Sequence, residues 1–351
     1  MPFGTASSHL LTSSSFFTKF IFSVYQISSP MASSSPLNIP ASAAALFQDL
    51  PKEKWWGIIE YVQFEGFWYS APRLQASLTA RSNFKALDDD VILASCPKTG
   101  TTWLKALIPS IMNRTGEFKD DDSDDPLLKN HPNAFMPSLE MKIFRDTPNP
   151  DLSDLVSPRL FRTHVPYTML SESAQKSDCK IVYITRDPKD AFVSFWHFMN
   201  TNVPPSLGKL PIDSAFESFC KGVYPFGPLQ DHALGYFQES QKRPEKILFL
   251  KYEELKKDPK GQLKKLASFL GKPFANEEEV DRILWRCSLE RLKSLELNQN
   301  GVDPWDGLAY NTYFRLGNVG DWKNSLTPEM KDRLDEITRQ KLQGCDLVFG
   351  S

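Results

Sequence analysis

One stretch limits the fold of this chain more than any other. The apolar run Val91-Ile92-Leu93-Ala94-Ser95-Cys96 leads into the loop Pro97-Lys98-Thr99-Gly100-Thr101-Thr102, and Trp103-Leu104-Lys105-Ala106-Leu107-Ile108 resumes with helical character. A short, unbroken apolar run after the polar turn at Asp88, Asp89 and Asp90 reads as a strand buried on both faces, which is the setting of a parallel sheet. Further strands are expected at Arg159–Thr163, Lys180–Thr185 and Lys246–Lys251, and helices at Pro188–Asn200, Ile212–Lys221, Leu229–Lys242 and Gln262–Leu270. Strands alternating with helices predict an α/β chain: a three-layer sandwich around a central, mainly parallel sheet.

The same stretch carries the first chemical signal. Backbone N–H groups of a glycine loop at a helix N-terminus form an anion site, to which Lys98 adds a full charge and Thr99, Thr101 and Thr102 add hydroxyls. The spacing is not G-x-x-x-x-G-K-[ST], because Lys98 precedes Gly100 by two positions; a metal-dependent kinase is disfavoured. A second cluster, Arg186-Asp187-Pro188 with Ser194 farther along the helix, follows the Lys180–Thr185 strand, and open α/β sheets bind ligands at such strand ends. Arg186 offers a planar fork of donors to a phosphate; the alternative is a surface pairing with Asp187 or Asp190. The third cluster is Tyr313-Phe314-Arg315-Leu316-Gly317-Asn318-Val319-Gly320-Asp321-Trp322, a loop with two glycines, a cation and flanking aromatics.

Composition narrows the partners. With 41 Lys+Arg against 43 Asp+Glu the chain carries a net charge of −2, which argues against a general nucleic-acid binder but not against a small anionic ligand. The five cysteines show no C-x-x-C or Cys/His spacing, so no metal site is expected and a reducing compartment is. No apolar run reaches the ~20 residues that span a bilayer. Residues 1–45 are Ser-rich and acid-poor and read as a disordered N-terminal extension, either a transit-like segment directing the chain to a plastid or an upstream extension ahead of Met31 in a cytoplasmic protein. One domain is expected over 46–351, since no Gly/Ser/Pro linker divides that span. The acidic run Asp120-Asp121-Asp122-Ser123-Asp124-Asp125 reads as a solvated loop.

Taken together, PKTGTTW (97–103), RDPKDAFVS (186–194) and RLGNVGDW (315–322), in that order and with RTHVP (162–166) and KYEEL (251–255) between them, resemble the signature of the cytosolic sulfotransferases, and of their plant soluble branch in particular. The resemblance runs from about Leu46 to the C-terminus. It implies a fold like that of the P-loop nucleotide kinases and the co-substrate 3′-phosphoadenosine 5′-phosphosulfate. It also implies roles: Lys98, Thr99, Gly100, Thr101 and Thr102 on the 5′ end; Arg186, Ser194, Arg315 and Gly317 on the 3′-phosphate; Trp103, Tyr252 and Phe314, with Cys287, around the adenine. Leu316 stands where many relatives carry Lys, which implies a weaker hold on the 3′-phosphate.

His164, alone of five histidines, ends an expected strand before a proline and matches the family's catalytic base. An imidazole can take the proton of an attacking hydroxyl, while Lys98 neutralises the leaving phosphate. The family further implies that Ser194 holds Lys98 away from the bridging oxygen until the acceptor binds. The acceptor is expected to be a hydroxylated small molecule such as a flavonoid, steroid, hydroxyjasmonate or desulfoglucosinolate. Trp55, Trp56, Phe64, Phe67, Trp68, Phe135, Phe144, Tyr167, Trp196 and Phe198 are candidates for its apolar pocket, or for the core. A P-loop kinase and a non-catalytic nucleotide-binding module are the rival readings. Oligomeric state stays open.

Overall fold

The computed structural model describes residues 47–55, 59–114, 122–203, 208–304 and 307–349. The expected extension at 1–45, with the choice between Met1 and Met31, lies outside the described residues, as do Trp56, Asp120 and Asp121.

Three antiparallel strands come first: β1 (Lys52–Trp55), β2 (Ile59–Phe64) and β3 (Phe67–Tyr69). Phe64 pairs with Phe67 across Glu65 and Gly66, which both take positive φ (48° and 84°). Left-handed backbone at both central residues is what a two-residue hairpin with the native strand twist requires. Helix α1 (Ala71–Asn83) follows. Trp55, Ile59, Tyr61 and Trp68 of this small sheet pack on Phe192, Phe195, Phe216 and Phe219, so most of the aromatic segment is core.

The second sheet is the expected parallel one. Strands β4 (Val91–Ser95), β5 (Leu160–Thr163), β6 (Lys180–Thr185) and β7 (Ile247–Lys251) lie in the order β5-β4-β6-β7, all parallel. Successive side chains of a strand point to opposite faces, and here they enter separate cores. Ile92, Ala94, Ile181 and Tyr183 join Phe161, Ala233 and Tyr236 on one face, while Val91, Leu93, Val182 and Ile184 join Leu104, Leu107, Ile108 and Leu263 on the other. The middle layer is thus covered twice, giving the three layers expected. Each of the Val, Leu, Ile and Phe side chains among them contributes about 1.5–3 kcal/mol on burial.

The helices follow their strands. Helix α2 (Thr101–Met112) starts behind β4, and short α3 (Glu172–Lys176) precedes β6. Helix α4 (Pro188–Asn202) starts behind β6, with Pro188 at its first turn and Asp187 as its cap, accepting from the Lys189 N–H at 2.8 Å. Then come α5 (Ile212–Cys220) and α6 (Leu229–Lys242), and, after β7, α7 (Tyr252–Lys257), α8 (Pro259–Phe269), α9 (Glu277–Arg286), α10 (Leu289–Ser294) and α11 (Glu296–Asn300); α12 (Pro328–Lys341) comes last.

The described acids of the expected solvated loop are ion-paired, although Asp124 keeps contact with solvent. Asp122 and Asp124 each lie 2.7 Å from Arg286, and Asp125, 3% exposed, lies 2.6 Å from Arg291. Their partners stand some 160 residues away, which no local charge pattern shows. This clamp holds the α9–α10 junction that carries Cys287.

Candidate active site

The C-terminal ends of β4, β5 and β6 open into a cavity of about 320 Å³. Its lining includes Lys98, Gly100, Thr101, Thr102, Trp103, His164, Arg186, Ser194, Tyr252, Cys287, Phe314, Arg315 and Gly317, so thirteen of the expected site residues share one cleft. Thr99 and Leu316 do not.

At one end the backbone is shaped for an anion. Lys98 holds φ 66° and Gly100 φ 117°, and α2 begins immediately after them. Left-handed residues in a loop before a helix turn successive N–H groups toward one point, and a non-glycine residue there stores strain that marks functional loops. A Cβ on Gly100 would lie 2.8 Å from Ile184 and 2.9 Å from Tyr252, so only glycine lets the loop pass. Thr101 Oγ1 lies 2.7 Å from Ser95 Oγ. Thr99 departs from expectation: fully buried, its hydroxyl donates to the Cys96 and Ile184 carbonyls at 2.8 and 3.1 Å, tying the loop to β4 and β6 rather than facing the cavity.

Arg186 is buried, which removes the surface-pair alternative, although Asp190 stands 3.5 Å away. One Nη donates to the Asn318 carbonyl at 2.6 Å, the guanidinium lies 4.6 Å from the centroid of Tyr252, and the Nε–H has no partner. The Tyr252 hydroxyl in turn donates to the Gly317 carbonyl at 2.7 Å. Asp190 accepts from the backbone N–H groups of Gly320 and Trp322 at 2.7 and 3.0 Å, stapling the 315–322 loop to α4. Leu316 is 46% exposed and points away from this assembly, so it is no part of the cavity wall. Trp103, edge-on to Tyr252 at 6.0 Å between centroids, also keeps an unpartnered buried N–H. Cys287 joins Leu289, Leu292 and Phe314 as an apolar wall; burial pushes its thiol up to about 12, so it stays protonated.

The Lys98 ammonium lies 4.1 Å from the centroid of Phe198. Burial, together with Arg186 and Arg315, lowers its pKa to about 7. Cations gathered this closely repel one another unless an anion joins them.

The other end belongs to His164, two positions after Arg162 on the β5 exit. Its Nδ1 lies 2.7 Å from the Ser95 carbonyl, and since a carbonyl only accepts, Nδ1 carries the proton and Nε2 keeps its lone pair. Burial first, then Arg162, hold its pKa well below the usual imidazole value. The main chain of His164 is fixed from both sides. Its N–H donates to Glu140 at 2.9 Å, and its carbonyl accepts from His232 Nε2 at 2.9 Å, while Tyr183 donates to His232 Nδ1 at 2.9 Å. Glu140 also takes the Thr163 hydroxyl at 2.9 Å. Sequence reading assigned nothing to Glu140 or His232; their only signal is burial of a charged or titratable group, which needs coordinates.

A sulfotransferase-domain family model matches residues 88–346. Cytosolic sulfotransferase 1 of Arabidopsis thaliana is 44% identical over 298 residues, covering 83% of this chain and 90% of that one, and cytosolic sulfotransferase 12 of the same plant is 41% identical over 307, covering 88% and 94%. A crystallised Arabidopsis thaliana sulphotransferase superposes with TM-score 0.71 at 36% identity, covering 91% of this chain and all of that one. A mouse sulfotransferase complexed with PAP does so at 0.65 and 29%, covering 82% and 95%.

The chain belongs to the sulfotransferase family. It is a transferase that uses 3′-phosphoadenosine 5′-phosphosulfate, and the residues present fit such a donor. The lining contains Lys98, Arg186, Lys256 and Arg315 and no Asp or Glu among the described residues, and it keeps orphaned donors at Trp103 Nε1 and Arg186 Nε.

The aromatic pocket is corrected more heavily. Of the nine described aromatic candidates only Phe198 lines the sulfotransferase cavity; Trp55, Trp68 and Phe144 are buried in core clusters, and Phe64, Phe67, Phe135, Tyr167 and Trp196 pack against them. The cavity's aromatic wall is instead Tyr61, Tyr69, Phe195, Phe198, Phe226 and Tyr313.

Proposed function

We propose that the chain transfers a sulfuryl group to a hydroxyl of a small molecule, with His164 as general base and Lys98 as the charge that receives the leaving phosphate. When bound, the co-substrate supplies an electrophilic sulfur on a phosphate leaving group. Lys98, the 100–102 backbone and the Thr101 and Thr102 hydroxyls would hold the 5′ end; Arg186, Ser194, Arg315 and the Gly317 backbone would hold the 3′-phosphate; Trp103, Tyr252, Phe314 and Cys287 would enclose the base. His164 Nε2 would accept the hydroxyl proton as the oxygen bonds to sulfur, and the proton would stay on Nε2 until product leaves.

The observation that supports this reading is the Ser95–His164 hydrogen bond, which fixes the tautomer with a basic nitrogen in the same cleft as Lys98. A base held neutral by burial is ready at every physiological pH. Lys98 acts on charge that grows only as the S–O bond breaks, so it lowers the barrier rather than merely tightening binding. Curated relatives are named cytosolic, and we carry that compartment to this chain; among the described residues no helix is long and apolar enough to cross a membrane.

The test is turnover of radiolabelled donor against hydroxylated acceptors, followed by single turnover with Lys98→Ala and His164→Ala. Loss of transfer by about 10²-fold or more in each variant is expected. Near-normal turnover in the His164 variant overturns the base assignment.

A further inference from the structure

The cations of the cavity fall into two groups, and only one has a use so far. Lys98 feels Arg186 and Arg315, whereas His164 feels Arg162 and Lys105. The second group sits with the base, beyond the donor residues. Arg162 and His164 stand two residues apart at the end of β5, so their side chains leave the same side of the strand, roughly 7 Å apart along it. Both line the cavity.

Arg162 is half-buried, and no described carboxylate lies within ion-pair distance of it. Its Nε–H is buried without a partner, and one Nη rests 3.9 Å from the Met141 sulfur, a weak acceptor. The acids nearby are committed elsewhere. Glu140 takes the His164 N–H and the Thr163 hydroxyl, and Asp303 accepts from Asn133. Lys105, which contacts Asn133 and lies 5.4 Å from the Tyr313 centroid, lines the same cavity and adds to the positive field at His164. A guanidinium enclosed by a neutral acceptor loses water and gains nothing, which is costly. Enclosed by a planar carboxylate it makes a bidentate, charge-assisted pair.

We propose that the acceptor is an anion: a hydroxylated small molecule whose carboxylate docks on Arg162 while its hydroxyl faces His164. The inference rests on the transfer reading above and narrows its substrate class. A site built to pair a half-buried charge discriminates against an analogue lacking it. The acceptor's carboxylate therefore selects the substrate and sets the reach from the anchored end to the reacting oxygen.

The test uses the full chain saturated with PAP and a panel of phenolic and aliphatic hydroxy acids, each with its methyl ester, read by calorimetry. The best acid should bind at least about tenfold more tightly than its ester. Arg162→Gln should bring that ratio close to one, and Arg162→Lys should keep part of it, with PAP affinity serving as the check on folding in both variants. Esters that bind as well as their acids across the panel overturn the proposal, as does a preference that survives Arg162→Gln. Binding without turnover of any compound counts against the transfer reading instead, so the two failures are separate.

Discussion

The two ends of the cavity are assembled in opposite ways. The proposed donor end is made of short contiguous segments, 97–103, 186–194 and 314–317, each following a strand or stapled to the helix beside it, and it sets backbone N–H groups among cationic and hydroxyl side chains. The acceptor end gathers isolated side chains: Tyr61 from β2, Arg73 from α1, Met141, Arg162, Phe226 and Tyr313. A phosphate-bearing nucleotide presents the same charges every time, so a fixed backbone cradle suits it. Side chains drawn from separate elements can change one at a time without disturbing the sheet.

If the ends are separable, substitutions should divide by which constant they move. The largest effect is expected from His164→Ala, which lowers kcat by about 10²–10⁴ while the Kd for PAP, measured by calorimetry, stays within about twofold. A comparable loss of PAP affinity would merge the two ends. Arg186→Ala should do the reverse, raising the Kd for PAP about 10–100-fold through the loss of charged hydrogen bonds worth about 1.5–3 kcal/mol.

Acidity separates the ends next. Lys98, lowered to about 7 in the free chain, must be charged to hold a phosphate, so binding takes up a proton and affinity falls as pH rises above 7. Between pH 7 and 8.5 the Kd for PAP should rise by up to about tenfold, and calorimetry in buffers of different ionisation enthalpy should register uptake of close to one proton at pH 8. His164 is held low by burial and Arg162; kcat at saturating donor should therefore stay flat down through pH 6.5, with any acid limb below it. A kcat limb centred at 6.5 would mean an exposed, ordinary imidazole.

Smaller still is the support behind the base. Tyr183→Phe leaves His232 Nδ1 without its donor and should lower kcat about 2–10-fold, with PAP affinity unmoved. The smallest effect belongs to Leu316→Lys. Because Leu316 faces solvent, a cation there should tighten PAP by no more than about twofold, and less at high salt.

The same contrast explains what could be read from the sequence. The parallel strands were legible because double burial leaves unbroken apolar runs, and the residues we propose for the donor because phosphate chemistry packs a cation, a glycine and hydroxyls into a few consecutive positions. Thr99 was assigned to the ligand because a hydroxyl's direction is invisible in sequence, and here it ties two strands together. Leu316 was assigned by its place in the loop, although its side chain leaves it. At the acceptor end, aromatic composition left wall and core open for ten residues, and core packing claims eight of the nine that are described, since a Trp or Phe in a wall and one in a core are the same letter. Glu140 and His232 matter through partners distant in the chain, as the acidic run at 122–125 does through Arg286 and Arg291, and Arg162 through an unpartnered guanidinium that only coordinates reveal.

The arrangement of charges is tested most directly by a crystal structure of the full chain with PAP and a bound acceptor. The 5′-phosphate should lie against Lys98 and the 100–102 backbone, the 3′-phosphate should lie on Arg186, Ser194 and Arg315, and the acceptor hydroxyl should sit within hydrogen-bond distance of His164 Nε2. A nucleotide bound end for end, or a hydroxyl remote from His164, would contradict the account.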